Sequence, residues 1–70
     1  MRPVQLVLDM WFGYLRDQEH RLSPRACIMA GYAYGYGCAA LDIGRVDLAE
    51  GQIDWLMAEA DRVIAGPPAG

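Results

Sequence analysis

Apolar residues recur along the first seventeen positions at the spacing of a helix. Val4, Val7, Leu8, Trp11 and Leu15 form an i, i+3, i+4, i+7, i+11 stripe, the pattern of one buried helical face. Leu6, Met10, Phe12 and Tyr14 widen it, leaving Gln5, Asp9, Gly13 and Arg16 as a narrow polar strip. A surface helix needs an apolar arc of little more than about 100°, so this one carries more than a single neighbour covers. Pro3 suits its opening turn, where a missing N–H is harmless. The stretch Arg16–Arg25 is polar and turn-like. Ser23-Pro24 then reads as an N-cap followed by proline at the first helical position, opening a second helix that Gly44 stops after Ile43. Asp47 and Glu50 read as a capping box for a third helix. Its stripe is Leu48, Ile53, Leu56, Met57, Ala60, Val63 and Ile64, and Gly66-Pro67-Pro68 ends it. The link Arg45-Val46 is short enough to fold the last two helices back on each other.

These elements predict an all-α, compact three-helix domain with helices at about 3–18, 24–43 and 47–65. Residues 1–66 form one domain, and 67–70 a flexible Pro/Gly tail. A chain of this size buries only about 60% of its unfolded surface. With 54% hydrophobic residues and no staple, a helix-packed homodimer is expected to supply the missing stability.

The uncharged run Ala26–Leu41, ACIMAGYAYGYGCAAL, is the most informative segment. As a helix it sets Ala26, Ala30, Ala33 and Gly37 on one ridge and Gly31-x-x-x-Gly35 on another. Tyr32 and Tyr36 share one side; Tyr34, Cys38 and Leu41 take a different one. Glycine inside a helix costs roughly 1 kcal/mol against alanine, and close packing is the usual compensation. Ala30, Gly31, Ala33, Gly35 and Gly37 are therefore the expected helix-packing and dimer residues, and Leu at Gly31 or Gly35 is expected to overfill the approach. Gly35-Tyr36-Gly37-Cys38-Ala39-Ala40 also fits G-x-G-x-x-A, but that fingerprint needs a flanking βαβ sheet for which there is no room. At sixteen residues between Arg25 and Asp42, the run is shorter than the ~20 of a membrane span.

Candidate chemistry is sparse. His20 is the single histidine, lies in the polar turn, and has no evident nucleophile beside it. Cys27 and Cys38 would lie about 16 Å apart on one helix, beyond disulfide reach, and read as free thiols of a reducing, cytoplasmic compartment. No metal, cofactor, small-molecule substrate or catalytic role is expected. Contact residues are the better expectation. Trp11 and Tyr14 belong to the over-wide first helix, Tyr32, Tyr34 and Tyr36 to the second, and Trp55 to the flank of the third, beside Leu48 and Gln52. Arg16, Arg21 and Arg25 bracket the turn as a local positive patch suited to an acidic surface.

The formal net charge is −3, with a pI near 4.7. A general nucleic-acid binder needs a basic face. Read as a helix-turn-helix, the third helix carries Glu50, Asp54, Glu59 and Asp61 against the single Arg62, which repels phosphates. The segment Leu41–Leu56, with its L-x-x-G-x-V-D-x-x-E pattern, resembles a helical hairpin of small phage proteins. The whole profile is similar to the short accessory proteins of phages and mobile elements, the anti-CRISPR inhibitors among them. That resemblance implies a non-enzymatic protein–protein interaction module, an inhibitor or adaptor binding a host macromolecular complex. The alternatives are a small helix-turn-helix regulator and an assembly subunit of a larger particle.

Overall fold

The computed structural model describes residues 3–66; the predicted tail at 67–70 lies outside them. Ser23 and Gly44 punctuate the described chain. Three helices form, α1 (Val4–Asp17), α2 (Pro24–Asp42) and α3 (Val46–Ala65), with a 3-10 turn at Glu19–Arg21 between the first two. Ser23 Oγ accepts the Ala26 N–H at 3.1 Å, and Pro24 holds the first helical position, as the sequence predicts. At the other end of α2, Gly44 takes φ +77°, a conformation that excludes most side chains. Its N–H donates to Leu41 O at 3.1 Å while the Arg45 N–H donates to Ala40 O at 2.8 Å. This pair of bonds is a Schellman ending.

The capping box does not form. Arg45 N–H closes α2, while its carbonyl already accepts from Leu48 and Ala49 at 3.2 and 3.3 Å. One residue therefore serves both helices, and α3 starts at Val46, before Asp47 can act as its cap. The Asp47 carboxylate is instead held by the Arg45 guanidinium, from Nε at 3.1 Å and Nη2 at 3.0 Å. Pro3 likewise sits at the N-cap of α1 rather than inside it.

All three helices pack on one another around Leu8, Leu15, Ala30, Ala33, Ile53, Leu56, Ala60 and Val63. The inner line of α3 runs Ala49-Ile53-Leu56-Ala60-Val63, so Met57 and Ile64, expected inside, face outward. In α1, Leu6 and Met10 are exposed, whereas Gln5 and Asp9 of the expected polar strip reach residues of α2. Apolar positions run nearly all round α1, and its packing against both α2 and α3 decides which arc turns in, with Leu8 and Leu15 buried and Phe12 stacked on Tyr34 of α2. Of the five small residues expected to pack, Ala30, Ala33 and Gly37 are buried. A Cβ on Gly37 would lie 2.8 and 3.0 Å from the two Leu8 methyl carbons. Gly31 and Gly35 face away from the core, with nothing within 4 Å of a Cβ at either. A leucine at these two positions therefore overfills nothing within the chain.

Candidate outer helix face

The two sides of α2 differ in size rather than in polarity. Its inner side is Ala30, Ala33, Gly37 and Ala40; its outer side is Ile28, Met29, Gly31, Tyr32, Gly35, Tyr36, Ala39 and Ile43, all exposed and uncharged. A helix apolar all round is normally buried all round. Here the outer half stands open. Beside it, a groove of 590 Å³ runs between α2 and α3, bounded by Met29, Tyr32, Tyr36 and Ala33 on one side and by Gly51, Gln52 and Trp55 on the other, with Gly31 and Gly35 along its edge. The alignment of Ile28 and Ile43 with the tyrosines was not singled out in the sequence. The signal was there, since 28, 32, 36, 39 and 43 follow helical spacing through a run without charge.

Tyr34 departs from its two neighbours. Its ring stacks on Phe12 with centroids 4.3 Å apart and planes 11° from parallel. Its hydroxyl donates to Asp9 Oδ1 at 2.6 Å, and Gln5 Nε2 donates to the same oxygen at 2.8 Å and to Cys38 Sγ at 3.4 Å. The Tyr34 hydroxyl, then Gln5, hold the Asp9 carboxyl below the usual carboxylate range. The same bond to Asp9, with a smaller effect of Cys38, raises the Tyr34 phenol above its ordinary value. Tyr34 thus fastens α1 to α2, leaving Tyr32 and Tyr36 as the tyrosines of the outer face.

The remaining candidate residues are dispersed. Trp11 and Tyr14 are half-buried against the core. Trp55 is half-buried and lines the groove. Arg21 Nη2 donates to Val63 O at 2.8 Å, placing a cation on the C-terminal carbonyls of α3, where the helix dipole favours it. Its Nη1 reaches Gln18 Oε1 at 3.4 Å. Arg16 and Arg25 are exposed, so the arginine patch is split between one bracing residue and two that face solvent. His20 is exposed in the 3-10 turn. Cys27 and Cys38 are both free and half-buried.

Among the described residues, no three metal-ligating side chains converge, and no helix is long and apolar enough to cross a membrane. The outward side of α3 presents Asp47, Glu50, Asp54 and Asp61, an acidic surface. Fold and surface together define an all-α three-helix protein with one uncharged, aromatic helix face. No family model, curated protein or solved structure matches the chain.

Proposed function

We propose that this chain is a non-enzymatic protein-interaction module of the small inhibitor or adaptor kind, acting in the cytoplasm through the outer face of α2 and the adjoining groove. The observation that carries this reading is the exposure of Ile28, Tyr32 and Tyr36 on a helix without a charge between Arg25 and Asp42. Apolar patches of several hundred Å² on a small protein mark association sites, and tyrosine and tryptophan are the side chains that most often anchor them. The resemblance to phage accessory proteins makes a host macromolecular complex the proposed partner. The acidic outer side of α3 favours a protein over a nucleic acid, since phosphates would be repelled.

The test is capture from nuclease-treated bacterial lysate, with tagged wild type and a Tyr32→Arg/Tyr36→Arg variant as baits. Both residues are exposed, so the variant should keep its helical circular dichroism. Stoichiometric recovery of one complex by wild type, lost in the variant, is the expected result. Equal recovery by both baits refutes the assigned face, and recovery of nothing but the chain itself turns the reading toward an assembly subunit.

A further inference from the structure

We infer that the outer face of α2 seats a second copy of this chain, with the two α2 helices antiparallel about a two-fold axis between residues 33 and 34. This rests on the reading of that face as an association surface: the second copy covers it in the free protein, and the host complex takes its place on binding. Three observations carry it.

The first is charge. Arg25 and Asp42 are the only charged residues of α2 and stand at its two ends. Neither pairs with another described residue. Parallel pairing would set Arg25 beside its own equivalent; antiparallel pairing sets Arg25 level with the second copy's Asp42, twice by symmetry. The stretch between them is neutral, so two copies of a chain with net charge −3 can meet there without the repulsion that its other faces would produce.

The second is volume. In an isologous interface residue i meets j and j meets i, so in this register the outer positions pair by level. Ile28 shares a level with Ala39, and Tyr32 with Gly35, each pair on about the same side of the helix, while Gly31 and Tyr36 flank the seam on opposite edges. Each level holds one large and one small side chain. The open space at Gly31 and Gly35 lets the axes approach to the lower end of the ~8–10 Å range for packed helices.

The third is area. Ile28, Met29, Tyr32, Tyr36 and Ile43 keep 61%, 40%, 72%, 52% and 74% of their surface accessible. At about 200 Å² per large side chain this is on the order of 600 Å². The intervening Gly and Ala bring it toward the ~800 Å² per partner of a standard interface.

The experiment uses the full chain with Cys27→Ser and Cys38→Ser as background. Antiparallel pairing places Gly35 about 4.5 Å along the axis from its equivalent and Ile28 about 16 Å from its own; a disulfide spans Cα separations up to about 7 Å. On mild oxidation, Gly35→Cys should form a covalent dimer. Ile28→Cys alone should not, but should cross-link when mixed with Ala39→Cys. In sedimentation equilibrium, Arg25→Asp and Asp42→Arg should each weaken the dimer about tenfold, and their combination should restore it. A chain that stays monomeric at submillimolar concentration overturns the inference and leaves the capture experiment to decide the wider reading. A dimer in which Ile28→Cys cross-links to itself overturns the register.

Discussion

Gly37 offers the sharpest test of how α2 is packed. Replacing it with alanine improves helix propensity by about 1 kcal/mol, and at an open position that gain would appear as stability. At Gly37 the new methyl would meet Leu8 carbons at 2.8 and 3.0 Å, and Leu8 is completely buried, so its methyls can give way only by pressing on other core atoms. Overpacking of this kind costs about 1–3 kcal/mol. The net expectation for Gly37→Ala is a loss of about 1 kcal/mol, or roughly 4–8 °C in Tm for a domain of this size. Gly31→Ala and Gly35→Ala, with empty space at the Cβ, should instead gain about 0.5–1 kcal/mol. The assay is urea unfolding followed by far-UV circular dichroism, at dilutions where the chain is monomeric. Trimming the obstacle completes the test, because Leu8→Val combined with Gly37→Ala should be less destabilised than the sum of the two by at least about 0.5 kcal/mol. Stabilisation by Gly37→Ala equal to that at Gly31, or strict additivity with Leu8→Val, would refute the close approach.

Other perturbations separate the two helix starts, the α1–α2 hydrogen bonds and the far end of α3. Ser23→Ala should remove about 1 kcal/mol by freeing the Ala26 N–H, whereas Asp47→Ala should change Tm less, since α3 has no side-chain cap; equal losses would restore the capping box. The lowered pKa of Asp9 means that its contribution is fully present above the unfolded value of 3.8 and disappears as pH falls through the lower folded value. In Tyr34→Phe the Asp9 midpoint, followed by carboxyl NMR, should move upward; an unchanged midpoint contradicts the Tyr34–Asp9 bond. Arg21→Gln should speed amide exchange at Ala65 and Gly66 and cost about 0.5–1 kcal/mol, with Arg21→Lys retaining part of the effect; unaltered exchange would show that Arg21 does not brace α3.

Helix existence and punctuation were legible because they are local. Ser23-Pro24 and Gly44 act within four residues, and the start and stop they signal stand where expected, unlike the box expected at Asp47 and Glu50. Orientation was less legible. The nine apolar positions of α1 surround most of its circumference, so periodicity could not choose between an arc through Leu8 and Leu15 and one through Leu6 and Met10. That choice belongs to the packing of α1 against α2 and α3 together, which no local pattern within α1 encodes. The same reason explains Gly37 and Gly31: both read as small residues in a stripe, and only the position of a second helix distinguishes the tight one from the open one. The outer face was legible in its tyrosines and glycines but not in its full length, because Ile28 and Ile43 look like ordinary core residues until the core is seen to lie on the other side.

An inner face of alanine and glycine has a mechanical consequence. Such a helix gives its neighbours a smooth track rather than a toothed one, since Ala30, Ala33 and Ala40 project no side chain long enough to lodge between the turns of another helix. Little rotamer freedom is lost when residues of this kind are buried, but little resists sliding either. The axial setting of α2 against α1 is left to a few latches, the Leu8 methyls in the notch at Gly37 and the Phe12–Tyr34 stack above all. Weakening both latches should leave the helices packed yet able to occupy several neighbouring positions, so that a single defined structure is lost before helical content is.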